Sequence, residues 1–475
     1  MKNSWFKAKS RNVGYSVLPA AALCLACFGC GDDDDGQGSP DGGGADSSVQ
    51  NPDSGGMNAE AGPDAMADSA AADSSAAVCP TGTNGPTTHD QDIEADETWR
   101  AEDNPHIVVN RVRVGGDETR VVTLTLEPCV EVRFTSQSCL IVGEQATRGS
   151  LVANGAADKP ILFTSDQEDG AKTAGYWDAI LFGEDTAEDT LLDHVIIEYG
   201  GREGSGAHAG PNWDDGQIIA WGNGDRLPAL KIRNTEIRAG STNGIVMWSG
   251  ARFGDDSLGL VISGNDEAPV VMEQDAAQTL PTDSESKYDG NGTDGIVIDS
   301  GGVTSITAGS PVWDDPRVPY INRGDINVDG AKLTVANGVT IASEADTEIN
   351  VVTGSLVAEE VTFTSWPDTA HWGGIDFPEG GSGTLTDCIV ERGGTRAGAG
   401  GWSEGFNINV DERTETDLPT ITGCTIRASV VDGISLWGVD VSVYNGDNTF
   451  TGNPNCDVAD YNPAPPATDT ICWNH

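Results

Sequence analysis

Gly149-Ser150-Leu151-Val152-Ala153, followed by Phe163-Thr164-Ser165, returns about 200 residues later as Gly354-Ser355-Leu356-Val357-Ala358, followed by Phe363-Thr364-Ser365. The order then holds. Tyr176-Trp177-Asp178-Ala179-Ile180-Leu181-Phe182 is matched by His371-Trp372-Gly373-Gly374-Ile375-Asp376-Phe377, and Ile197-Glu198-Tyr199-Gly200-Gly201 by Val390-Glu391-Arg392-Gly393-Gly394. Ile237-Arg238-Ala239 with Gly244-Ile245-Val246-Met247-Trp248 is matched by Ile426-Arg427-Ala428 with Gly433-Ile434-Ser435-Leu436-Trp437. Landmarks kept in one order mark an internal duplication, which constrains architecture more than any local motif.

Around these landmarks the chain breaks into short β-rich runs separated by Gly, Asn and Asp turns. Val121–Leu126, Leu192–Glu198, Leu230–Arg233 and Leu333–Val335 are examples. Apolar residues alternate with Thr, Asp or Arg, so one face of each strand is buried. Connectors vary greatly in length, and no regular series of Asn-Gly or Asp-Gly hairpin turns joins equal strands. That favours stacked coils over a sandwich or propeller, because a coil tolerates long loops while its strands stack about 4.8 Å from their counterparts.

The Gly-Ser-Leu-Val-Ala, Pro160-Ile161-Leu162-Phe163-Thr164-Ser165 and Leu192-Asp193-His194-Val195-Ile196-Ile197-Glu198 strings resemble right-handed parallel β-helix domains of bacterial surface proteins, which share the pectin-lyase-like fold. So do Lys332–Ile341 and Asp447–Asn453. The likeness spans about residues 105–455 and predicts an all-β solenoid with an internal duplication. The expected layout is a cap over 79–105, one continuous helix over 106–455 and a tail over 456–475. The two related modules would cover about 106–250 and 318–440.

Before this comes an address. Lys2, Lys7, Lys9 and Arg11 precede an apolar run from Val13 to Gly29, too short for a comfortable membrane span. The ending, Leu25-Ala26-Cys27-Phe28-Gly29-Cys30-Gly31, resembles a bacterial lipoprotein signal over residues 1–29. Cys30 is the residue that would carry the lipid, with Cys27 as the alternative. That resemblance implies an outer-membrane lipoprotein facing the periplasm or the cell surface, with the lipid as its contact with the membrane. Residues 30–78 are mostly Asp, Gly, Ser, Ala and Pro without an aromatic, Lys or Arg. Such a stretch cannot bury enough apolar surface to order itself and reads as a disordered acidic linker.

The chain carries 75 acidic against 26 basic residues, for a net charge of −49. This excludes nucleic acid as a partner and direct adsorption to anionic lipid. Beyond Cys30 lie seven cysteines, and an exported chain with such spaced cysteines and no Cys-x-x-Cys among them reads as disulfide-forming. Cys456 and Cys472 bracket a Pro-rich tail and form the expected pair. Cys129 and Cys139 would close a short loop. Cys388 and Cys424 sit in similar strand contexts and would lie on adjoining coils, bridged or as buried thiols.

Chemistry is sparse. Residues present in both copies read mainly as scaffold: Trp177/Trp372 and Trp248/Trp437 as corner packing, and Glu198/Glu391 as acceptors of backbone N–H groups at a turn. Arg238/Arg427 would pair along a ladder or bind a ligand. No Gly-His-Gly or Arg-Ile-Lys of the polygalacturonases is present; His208 lies between alanines, and Lys231-Ile232-Arg233 has the reversed order. No catalytic set emerges. Asp289–Gly295 partly resembles a calcium loop, and its late Gly and missing Glu favour a turn between rungs, so Ca²⁺ is the one cofactor to consider. The long loop 200–216, with His208, Trp213, Asp214 and Asp215, and its shorter counterpart 393–404, with Trp402 and Glu404, are where binding residues would collect. The expected function is structural, adhesive or polysaccharide-binding, with a polysaccharide lyase or glycoside hydrolase of the same fold as the alternative.

Overall fold

The computed structural model of the chain describes residues 79–204, 215–299, 305–395, 405–411, 418–461 and 471–474. They form an all-β, right-handed parallel β-helix. Its strands fall into five stacks: one of thirteen strands, two of seven, one of six and one of five. Among the described residues one strand pair is antiparallel, Val458–Asp460 with Ile471–Trp473 at the C-terminal end.

The thirteen-stranded sheet is the spine. One inward column runs through it unbroken: Val112, Leu140, Ile180, Ile218, Ile245, Val270, Ile296, Tyr320, Ile341, Phe363, Val390, Ile426 and Phe450. All thirteen belong to the buried core. Each such side chain contributes roughly 1.5–3 kcal/mol of burial, so the column alone is a large part of what holds coil to coil.

Simple alternation does not describe this whole sheet. Ile141, Leu181, Ile219, Val246, Val271, Val297 and Ile321 form a second buried apolar cluster distinct from the core, with Trp366 packed against it. Strands buried on both faces read as continuous apolar runs, which is why Gly244–Trp248 shows no polar partner positions.

The duplication has an unexpected placement. Ile161–Ser165, Val195–Glu198 and Glu236–Arg238 belong to the first seven-stranded sheet. Their counterparts Thr362–Ser365, Ile389–Glu391 and Thr425–Arg427 belong to the thirteen-stranded sheet. Likewise Ile180–Phe182, Gly216–Trp221 and Asn243–Trp248 lie in the thirteen-stranded sheet, whereas Gly374–Phe377, Phe406–Val410 and Asp432–Leu436 lie in the second seven-stranded sheet. Because the long sheet is unbroken, the second copy is turned one face further round the axis than the first. The change falls between Val261–Ser263, the last strand of the first seven-stranded sheet, and Val312–Trp313 and Ile326–Val328, which begin two new sheets.

Corners recur with the modules. His194/Asp387, Tyr199/Arg392 and Ala239/Ala428 occupy the left-handed region at the same place in each copy. Gly200, after Tyr199, has no room for a side chain: a Cβ would sit 2.8 Å from the Trp177 ring. At the equivalent Gly393 a Cβ would sit 2.5 Å from the Phe406 carbonyl oxygen, so both Glu-x-Gly-Gly corners exclude a side chain, though against different neighbours.

At the N-terminal end Thr87–His89 pairs with His106–Val108, and Glu97–Trp99 with Val122–Leu126, so residues 79–105 extend the stacks while closing them. Cys129 is bonded to Cys79 rather than to Cys139, which lies buried outside either disulfide. The short loop 129–139 is therefore not what the bond closes; it ties the N-terminal segment down across a separation of 50 residues. Cys456 and Cys472 are bonded to each other, and Cys388 and Cys424 are buried thiols.

Candidate functional site

The repeated polar residues form one constellation, built twice. The Trp177 indole N–H donates to the carbonyl of Glu198 at 3.0 Å, and Trp372 to that of Glu391 at 2.8 Å. Thr164 donates to the Glu198 carboxylate at 2.9 Å, and Thr364 to that of Glu391 at 2.9 Å. From the next coil Arg238 reaches Glu198 at 3.0 and 2.9 Å, and Arg427 reaches Glu391 at 2.6 Å. The glutamates therefore accept from side chains of adjoining coils, not from turn N–H groups as the Gly-Gly context suggested. Burial opposes ionisation of Glu391, but the bonds from Arg427 and Thr364 and the charges of Arg392 and Arg427 outweigh it and hold its carboxyl below the usual range. A buried acid with its oxygens taken by Thr and Arg is a staple between three coils, and its presence in both copies marks scaffold.

Of the loop residues singled out in the sequence, His208, Trp213, Asp214, Trp402 and Glu404 lie outside the described residues. Asp215 stands just before Gly216–Trp221. Its carboxylate accepts from the Gly204 N–H at 2.7 Å and its carbonyl from the Asn243 amide at 2.9 Å, which closes the neck of the loop. Asp289–Gly295 is a turn between rungs: the Asn291 side chain donates to Ile262 and Tyr288 carbonyls and accepts from Asn265. Among the described residues no group of three or more His, Cys, Asp or Glu side chains is placed to hold a metal ion.

A sizeable concavity lies elsewhere, on the outward side of the six-stranded sheet near its end. Ala229–Arg233 and the two-residue strand Arg252–Phe253 are the last members of that stack, and the next coil presents a 3₁₀ turn, Ala277–Thr279, instead. The Thr279 hydroxyl accepts from the Phe253 N–H at 3.2 Å, so the turn caps the sheet. This leaves an open groove of about 860 Å³ lined by Leu227, Lys231, Arg252, Asp255, Gln278 and Thr279 among others. A neighbouring recess of about 500 Å³ shares Thr186, Glu188, Leu227 and Pro228 and continues to Arg148 and Arg226.

Lys231 donates to the Glu188 carbonyl at 3.0 Å, and Arg252 to the Gly250 carbonyl at 3.3 Å. Behind Arg252, burial pushes the Asp275 carboxyl up while the guanidinium charge opposes it. Arg226 pairs with Asp185 at the recess. The groove is thus polar, spans several coils and carries both signs of charge: Lys231 and Arg252 with Glu188, Asp255 and Asp256. Its residues come from four coils, so no local motif announces it.

In comparisons with protein-family models, curated proteins and solved structures, the chain matches none.

Proposed function

We propose that this chain is a lipid-anchored protein of the bacterial cell envelope, of the pectin-lyase-like type, whose β-helix binds an acidic polysaccharide along the groove at Lys231 and Arg252. The carrying observation is that groove: open to solvent, crossing several coils and polar, with Lys231 and Arg252 standing beside Glu188, Asp255 and Asp256. An open channel across stacked rungs suits a polymer better than a small molecule, and ammonium and guanidinium groups match carboxylate or sulfate substituents. The anchor reading is supported by the basic head, the apolar run, Cys30 and the acidic tract that follows it. Titration calorimetry with polygalacturonate, alginate and dextran tests the ligand. Binding of an acidic polymer but not of dextran is expected, weakened about tenfold or more in Lys231→Gln/Arg252→Gln. No heat with any acidic polymer overturns the reading. Unsaturated products or new reducing ends in the same mixtures with calcium would move the assignment to a lyase or hydrolase. Labelling cells with a clickable fatty acid tests Cys30, and an unlabelled mature chain removes the anchor.

A further inference from the structure

We propose that the recess between the N-terminal segment and the outward side of the first seven-stranded sheet is a second binding site, for a small amphipathic molecule with an apolar body and an anionic group. The recess holds about 620 Å³. That lies within the usual range for small-molecule pockets, which are apolar with a few placed polar groups. Half-buried Leu162 and Ile196 are in register on adjoining coils and line it, as do Pro105 and Pro160.

Its wall is fixed. Cys79 is bonded to Cys129, and the Thr83 and Asn84 N–H groups donate to the Glu102 carbonyl at 2.8 and 2.9 Å. Gly82 and Gly85 lie flat on Asn104: a Cβ on either would stand 2.2 or 2.1 Å from its carbonyl oxygen. Asn104 in turn donates to the Cys129 carbonyl at 2.7 Å and accepts from the Glu131 N–H at 2.9 Å. A preformed wall removes the ordering cost a ligand would otherwise meet.

The duplication supplies an internal control. Register places Glu131 beside Leu162 and Arg133 beside Thr164 in the first copy, and Thr340 beside Thr362 and Ala342 beside Thr364 in the second. The staple of Thr, Glu and Arg is common to both copies. Glu131, Arg133 and Leu162 are not: they correspond to Thr340, Ala342 and Thr362. These three differing residues line the recess together with Ile196, Glu198 and Arg238, which recur as Ile389, Glu391 and Arg427, and an outward Leu replaces a Thr where the scaffold does well with a hydroxyl. Of the two arginines here, Arg238 has Nε, Nη1 and Nη2 engaged by Glu198 and Glu236. Among the described residues Arg133 makes one ion pair, through Nε to Glu131 at 2.7 Å, which leaves its Nη groups to meet an anion.

The full chain is titrated with 8-anilinonaphthalene-1-sulfonate and with the uncharged N-phenyl-1-naphthylamine, followed by fluorescence. One saturable sulfonate site is expected, weakened about tenfold in both Arg133→Gln and Leu162→Asp, and unchanged in Thr362→Leu and Lys231→Gln. The uncharged probe should bind more weakly than the sulfonate. Circular dichroism and the urea midpoint of each variant separate loss of the site from loss of the fold. The proposal is overturned by absence of a saturable site, by wild-type affinity in folded Arg133→Gln and Leu162→Asp, or by equal affinity for the two probes. Because Lys231→Gln leaves this site intact, failure here is distinguishable from failure of the polysaccharide groove.

Discussion

Glu391 and its counterpart Glu198 show how a buried charge is made tolerable in a solenoid. Each sits at the outward edge of a strand with a Thr one coil behind and an Arg one coil ahead. Removing the acid strands the arginine and the hydroxyl together, so Glu391→Ala should cost about 1–3 kcal/mol, read as a lower urea midpoint. Arg427→Lys should recover only part of the wild-type value, because an ammonium does not reproduce the guanidinium's fork of donors. The burial of Trp177 and Trp372 was legible in the sequence, since each recurs beside aliphatic strand residues. The partner of Glu198 was not, because Arg238 lies 40 residues on and becomes a neighbour only when the coil closes.

At the scale of elements, the N-terminal segment is held by a ring stack and a disulfide. Trp99 stacks against both His89 and His106, with centroids 4.0 and 5.0 Å away, and the two imidazoles, 5.3 Å apart, share a hydrogen bond of 3.0 Å. Burial, reinforced by the charge of His106 and opposed by that of Asp90, lowers His89 from 6.5 to about 4. Burial also lowers His106, opposed by its bond to the Arg100 carbonyl and by Asp103 and Glu97. The unfolded chain then binds protons more readily than the folded one. The stabilisation is complete above pH 6.5 and is lost as pH falls toward 4. Urea midpoints measured across that window should fall in the wild type and fall less in His89→Gln. For the disulfide, Cys79→Ser should cost about 2–4 kcal/mol, given the long loop it closes. Non-reducing peptide mapping should recover Cys79–Cys129 and Cys456–Cys472, with Cys139, Cys388 and Cys424 alkylated only after denaturation. A short loop is the cheaper closure in an unstructured chain, which is why spacing pointed to Cys139; once the first coils stack, Cys79 is the sulfur that lies against Cys129.

Across the whole molecule, continuity of the long sheet through the junction of the copies is the feature most open to test. Val297 and Ile321 are paired on adjoining coils there. Val297→Cys/Ile321→Cys should therefore oxidise to an intramolecular disulfide, since adjacent strands bring Cα atoms within bridging range. No bond in the folded variant would mean the sheet is interrupted. With a net charge of −49, self-repulsion should also be visible: raising salt from about 10 mM to about 150 mM should raise Tm, as the screening length shortens.

By itself the sequence determined the all-β class, the duplicated module and the stacking of its strands, because a one-sided apolar period and repeated corner residues leave a strand few ways to be buried. Tertiary structure alone decided where each copy faces. Equivalent residues set the order of strands within a coil but not its angle about the axis, which depends on the coils between Val261 and Ile326. Around that span two stacks end, at Arg252–Phe253 and Val261–Ser263, and two begin while the long sheet continues, so the staple of the first copy and that of the second stand on different faces. The groove and the recess follow from the same geometry. Each is assembled from several coils, at the end of a sheet or beneath the N-terminal segment, and contact across coils is created by folding rather than written in any stretch of chain.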